Sequence, residues 1–170
     1  MITLLILSLA LTIPLVVIAT VRERSLPDSI SALVYVFKHK WLWTIWLWLV
    51  VLLTLIPAIE ILSRVGMEAL GFGTLACLMF CGSMPLFDKD NVRWHWITGI
   101  AGCILSQLCV YFLCPDWLSL WGVFAFLAGS KYVQPEGFGK PFLGKGVFLA
   151  ESTCYLSLMG AMFYVYLSSI

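Results

Sequence analysis

The chain has 170 residues, of which 62% are hydrophobic and only 11% are charged, and its formal net charge is +1. Soluble domains are about half apolar and a quarter charged, so a water-exposed surface does not accommodate this composition. The small net charge also argues against nucleic acid as a partner. We therefore expect a membrane protein whose apolar side chains face hydrocarbon.

Six apolar runs are each long enough to cross a bilayer as a helix, since a span needs about 20 residues. They predict an all-α, polytopic transmembrane bundle of six spans that forms a single domain. The first run lacks a basic start and is too long for a signal-peptide core, so we expect it to be retained. The predicted spans are residues 2–20, 41–61, 69–87, 96–114, 117–133 and 147–168.

The connection between the first two spans contains a short amphipathic pattern over residues 29–38. Its apolar residues recur at helical spacing and form one stripe: Ile30, Leu33, Val34 and Phe37. The pattern predicts a helix. Because it is too short to span, we expect it to lie in the membrane interface, with its stripe facing acyl chains or the bundle.

Lysine and arginine are distributed asymmetrically between the connections. Nine of the ten fall on the connections that follow the first, third and fifth spans, and only Arg64 falls on the opposite side. Cytoplasmic loops of membrane proteins carry the excess of basic residues. We therefore predict that both termini face away from the cytoplasm.

Tryptophans at the predicted span ends agree with this topology, because indole rings prefer the level of the lipid headgroups. Trp46 and Trp48 lie deeper in the second span, where we expect them to pack or to face lipid. The predicted membrane-interface anchors are Trp41, Trp43, Trp94 and Trp96 on the cytoplasmic side, with Trp117 and Trp121 on the other.

Glu151 is the most unusual residue, since it lies about one turn inside the sixth predicted span. An intramembrane carboxylate is costly and usually faces a cavity or a partner. Two interpretations stay open: a proton, cation or catalytic site, or a side chain that snorkels or pairs with Lys145 or Lys131. The other members of the candidate polar site are His95 and Asp88, on the same predicted side, and Gln107, deep in the fourth span.

Metal and cofactor motifs are weak in this sequence. His39 and His95 do not have the spacing of a metal site, and the common nucleophile and phosphate-binding motifs are absent from the sequence. Cys77, Cys81 and Met84 share a face of the third span, where copper binding competes with ordinary packing. We therefore predict no metal and no cofactor.

The run Ser29–Ala32 precedes the second span, and Tyr35 follows it closely. Over about residues 27–110 the chain resembles a group of small polytopic membrane proteins of bacteria and phages that has no assigned function. The resemblance implies a bacterial or phage origin and no particular activity, and we expect the chain to form a six-helix bundle in a bacterial inner membrane. Further points of similarity are the run 75–78, the run 85–87, His95 and the pair Ser106 and Gln107.

A broader similarity relates Ser29 or Ser31, Asp88 and His95 to membrane hydrolases of the ceramidase and adiponectin-receptor type. Those enzymes use a C-terminal pair of histidines, and the sixth predicted span has none. The sequence therefore favours a non-enzymatic accessory subunit or a protein that binds a small solute or lipid. The alternative is an enzyme that acts on a lipid at the cytoplasmic leaflet. Membrane lipids are the expected partners, and another membrane protein or a second copy of the chain stays open.

The topology predicts that position 138, in the connection between the fifth and sixth spans, is cytoplasmic. Phe138→Cys, with the six native cysteines replaced, should react with a membrane-impermeant maleimide only after the inner membrane is opened. Ser169→Cys is the control and should label from outside, because it lies at the C-terminus. Ready labelling of position 138 from the periplasmic side would contradict the topology.

Overall fold

The computed structural model describes residues 1–86, 92–117 and 145–168. Within these ranges the regular structure is helical and no strand occurs, which confirms the all-α prediction there. Five helices are long and apolar enough to cross a membrane, as expected of a multi-pass membrane protein. They are α1 (Ile2–Glu23), α2 (Lys40–Ser63), α3 (Glu68–Ser83, which a 3-10 helix at Met84–Leu86 continues to spanning length), α4 (Val92–Leu113) and α5 (Gly146–Ser168).

The number of spans and the orientation of the termini stay predictions. The predicted fifth span, residues 117–133, lies almost entirely outside the described residues, as do Asp88, Trp121 and Lys131. The other five predicted spans each overlap one of the five long helices.

The predicted amphipathic helix over residues 29–38 is shorter and tighter in the structure, where a 3-10 helix occupies Ser31–Val36. The Ser29 hydroxyl accepts the Ala32 N–H at 3.0 Å. Such side-chain bonds to nearby backbone compete with regular α-helix and favour a tight turn. The segment therefore begins as a turn.

The apolar stripe of this segment packs on the bundle. Leu33 is fully buried in a cluster with Ala19 of α1 and Trp43 of α2. Ile30, Val34 and Phe37 pack against the same cluster. The 3-10 segment therefore lies against the last turns of α1 and the first turns of α2.

The helices pack in a closed order. α2 contacts α1 and α3, α3 contacts α4, α4 contacts α5, and α5 returns to contact α1 and α2. The largest buried cluster joins α1, α2, α4 and α5, with fully buried members at Leu5, Leu55, Leu62, Val110 and Met162.

Glycines on α3 and α4 permit close approach of neighbouring helices. A Cβ placed at Gly71 of α3 would lie 2.5 Å from the side chain of Ile59 and 3.4 Å from its Cα. A Cβ at Gly102 of α4 would lie 2.5 Å from the Leu78 side chain. Small residues have this role in membrane bundles, where packing rather than water expulsion drives association.

The outward face of the bundle is apolar. Ile6, Val17, Ile104 and Leu156 are each more than half exposed. A water-soluble protein rarely carries so many large exposed apolar side chains, whereas in a bilayer they contact acyl chains.

The predicted tryptophan anchors divide into two groups. Trp41, Trp94 and Trp96 are about half exposed, as expected of rings that contact lipid or headgroups. Trp43 differs, because its ring is fully buried beneath Phe37 and beside Trp46, with ring centroids 6.1 and 5.0 Å away. Its environment is therefore the bundle interior.

A cluster of hydroxyl groups joins three helices near the middle of the bundle. The Ser8 hydroxyl of α1 is 2.8 Å from the Thr54 hydroxyl of α2 and 2.7 Å from the Tyr155 hydroxyl of α5. It also lies 3.3 Å from the carbonyl oxygen of Val50. Lipid offers no alternative partners to these groups, so they bond to one another.

Ser8→Ala should destabilise the bundle by about 1–2 kcal/mol, because it leaves two buried hydroxyls on other helices without this partner. Thermal unfolding in detergent would measure the loss. The matched control is Ser168→Ala, since the exposed Ser168 hydroxyl bonds only to carbonyls of its own helix. Equal melting temperatures for the two variants would show that the cluster contributes nothing.

Candidate functional site

A cavity of about 130 Å³ extends from the end of the bundle where α2 and α5 begin toward its middle. All five long helices contribute to its wall, and the 3-10 segment reaches it through Ile30 and Ser31. Most of the wall is apolar, with Leu47, Val51, Leu55, Leu78 and Leu158 among the lining residues. Its carboxylate and its imidazole come from Glu151 and His95.

Most of the remaining polar groups of the wall are hydrogen-bonded to other protein groups, whereas the buried indole N–H of Trp43 has no hydrogen-bond partner among the described residues. Thr54 and Tyr155 bond to Ser8, and the Thr12 hydroxyl donates to the carbonyl of Ser8. Ser106 donates to the carbonyl of Cys103. The deep part of the cavity is therefore effectively apolar.

Glu151 is half-buried in the cavity wall, about one and a half turns into α5. One of its carboxylate oxygens, Oε2, accepts the backbone N–H of Ile30 at 2.5 Å. Ile30 immediately precedes the 3-10 helix, so its N–H has no partner within regular structure. The carboxylate thus binds the connection between α1 and α2 to the first turns of α5.

Lys145, one of the two lysines considered as partners of Glu151, pairs with a different carboxylate. Its ammonium donates to Asp28, two residues before Ile30. The other candidate, Lys131, lies outside the described residues. The beginning of α5 is therefore connected to residues 28–30 twice, once by an ion pair and once by a hydrogen bond.

His95 contributes an imidazole ring from the first turns of α4. Its Nδ1 lies 3.2 Å from the carbonyl oxygen of Cys81 and 3.4 Å from the Cys81 thiol. A carbonyl oxygen only accepts, so Nδ1 carries the proton in this arrangement. In the neutral ring, Nε2 then keeps a lone pair that can accept a hydrogen bond.

Gln107 joins two helices and is not among the lining residues. Its side-chain nitrogen donates to the carbonyl of Cys154 at 3.3 Å and to the Ser157 hydroxyl at 3.2 Å. Its neighbour Ser106 lines the cavity instead. Of the candidate polar site, the structure thus brings Glu151 and His95 to one cavity and gives Gln107 an interhelical role.

Several lining residues carry no signal in the sequence. The sequence predicts that Trp43 is an interface anchor and that Trp46 packs or faces lipid, yet both line the cavity. Cys103 of α4 and Cys154 of α5 also line it. These placements depend on helix rotation, which hydropathy does not determine.

The described residues contain no group of three or more His, Cys, Asp or Glu side chains placed to hold a metal ion. Of the soft residues considered on α3, Cys81 faces the cavity and Cys77 does not line it.

Comparison of the chain with protein-family models, with curated proteins and with solved structures found no match. The resemblance to small bacterial and phage membrane proteins therefore stays a prediction.

Amide hydrogen exchange can test the hydrogen bond between the Ile30 N–H and Glu151. Glu151→Leu removes the acceptor of the Ile30 N–H, so that amide should exchange faster, by about tenfold or more for a lost bond to a charged group. Glu151→Gln keeps a side-chain carbonyl and should retain most of the protection. Glu60→Gln, at the far end of α2, is the control. Unchanged exchange at Ile30 in Glu151→Leu would show that the bond does not hold the segment.

Proposed function

We propose that this chain is an integral membrane protein that binds a small amphiphilic solute, or the corresponding part of a lipid, in the cavity beside Glu151 and His95. The observation that supports the proposal is the character of the wall: apolar in depth, with a few unengaged polar groups at one end. Small-molecule sites typically combine a mainly apolar lining with a few placed polar groups.

The size of the cavity limits the ligand. An engineered apolar cavity of about 150 Å³ admits benzene, and this cavity is about 130 Å³. A group of about six non-hydrogen atoms therefore fits, whereas a whole phospholipid does not. The ligand is a small solute, or one end of a lipid whose remainder stays in the bilayer.

The proposed location is the cytoplasmic half of a bacterial inner membrane. The cavity lies at the end of the bundle that carries the connection between α1 and α2, where Arg24 and Lys38 lie in the connection and Arg22 and Lys40 lie at the adjoining helix ends. By the positive-inside rule this end faces the cytoplasm. Membrane lipids are then the first candidates for partners.

An enzyme acting on a lipid at the same leaflet is the second candidate function. It is favoured by one observation: Ser31, His95 and Glu151, all side chains capable of proton transfer, line the same cavity. Binding ranks first, because most of the cavity wall is apolar, as is typical of small-molecule sites.

A glycine pair provides a test of ligand binding. Gly99 lines the cavity, and a Cβ placed there would meet only the Cys81 thiol, at 3.4 Å. Gly73 has the same freedom, with Leu105 at 3.4 Å, but does not line the cavity. Both positions thus have room for a Cβ, so Gly99→Leu should extend a side chain into the cavity, and Gly73→Leu is its matched control.

The probe is n-butanol, titrated against the protein in nanodiscs by saturation-transfer NMR, with empty nanodiscs subtracted. We expect saturable binding to the wild type and to Gly73→Leu, and its loss in Gly99→Leu. Absence of saturable binding to the wild type, or equal binding to Gly99→Leu, would refute the proposal.

A further inference from the structure

Among the described residues, the cavity wall carries a negatively charged group and no positively charged lysine or arginine. The negatively charged group is the one carboxylate, Glu151. The second carboxylate oxygen, Oε1, accepts no hydrogen bond from any described residue, since the Ile30 N–H binds Oε2. One oxygen of the carboxylate is therefore left to interact with a ligand.

The basic group at the start of the same helix does not neutralise Glu151. Lys145 is bound to Asp28, outside the cavity wall. An ionised carboxylate away from bulk water requires a compensating charge or several hydrogen-bond donors. Within the described residues, Ile30 supplies one donor and no cation.

Two other features near this end also suit a positive charge, whereas the indole N–H of Trp43, which has no partner among the described residues, is a donor and suits an accepting atom. His95 presents an accepting Nε2, because its Nδ1–H is directed to the Cys81 carbonyl. Trp43 and Trp46, whose rings stack at 5.0 Å, both belong to the wall. Indole faces attract ammonium groups, more strongly where water is excluded.

We propose that the ligand of this cavity is a cation: an ammonium group, primary or methylated, on a short apolar chain, with Glu151 as its counterion. The inference rests on the proposed function and names its ligand class. The ammonium occupies the end of the cavity lined by Glu151 and His95, and the apolar chain fills the part lined by leucines. Phosphate and carboxylate groups are disfavoured, because they would meet a like charge and no lysine or arginine among the described lining residues.

Three probes of nearly equal size separate charge from shape: n-butylammonium, n-butanol and butyrate. In the NMR titration, n-butylammonium should bind the wild type at least about tenfold more tightly than n-butanol, the effect of one charge-assisted hydrogen bond. Butyrate should bind most weakly. Equal affinities for the ammonium and the alcohol would overturn the cation proposal, and alcohol binding that is lost in Gly99→Leu would leave the proposed function standing.

Glu151→Gln is the variant test, since the amide keeps the shape and loses the charge. In this variant the affinities for n-butylammonium and n-butanol should become about equal, whereas Glu60→Gln should keep the wild-type preference for n-butylammonium. Glu60 is a suitable control because it pairs with Arg64 at the opposite end of α2. A preference that persists in folded Glu151→Gln would overturn the assignment of the counterion. If that variant does not fold, the comparison of probes on the wild type still decides the proposal.

The ammonium can come from a free amine or from an amino-lipid headgroup. Nanodiscs with and without an ethanolamine phospholipid distinguish these sources. If the phospholipid competes with n-butylammonium, the headgroup is the source of the ammonium. If it does not compete, the source is a free amine. Either result is consistent with a cation site, whereas displacement by an anionic phosphatidylglycerol alone would contradict it.

Discussion

A carboxylate within a membrane-spanning helix must obtain hydrogen-bond donors from the protein, since lipid offers none. In this chain the donor is the N–H of Ile30, at the edge of the connection between α1 and α2. The bond holds that connection against α5, together with the Lys145–Asp28 ion pair and the packing of Leu33 on Ala19 and Trp43. One acidic side chain thus helps to form the end wall of the cavity, to which Ile30 and Ser31 contribute.

Hydropathy alone predicts the helices well. The runs that begin near Ile2, Trp41 and Ala69 correspond to helices within a few residues of the predicted bounds, because spanning length and continuous apolarity are local properties. The segment at 29–38 is predicted less well, since the Ser29 hydroxyl and packing on Trp43 favour a 3-10 turn over an α-helix.

The candidate site was predictable only in part. Glu151 and His95 stand out because ionisable residues are rare in such a sequence. Their environment is not evident from it: Lys145 binds Asp28 instead of Glu151, and Trp43 turns inward while Trp41 does not. Each of these depends on the rotation of one helix against its neighbours. A hydrophobic stripe does not fix this rotation when every face of the helix is apolar.

The bond between Ile30 and Glu151 joins residues that are 121 positions apart in the chain. A contact of such long range forms late, because the intervening chain must first be made and placed. While the chain is synthesised, the end wall of the cavity stays incomplete until α5 has entered the membrane. A protein truncated before α5 would thus keep the other four long helices of the described ranges but lack Glu151, and its cavity would stay open on the side that α5 lines.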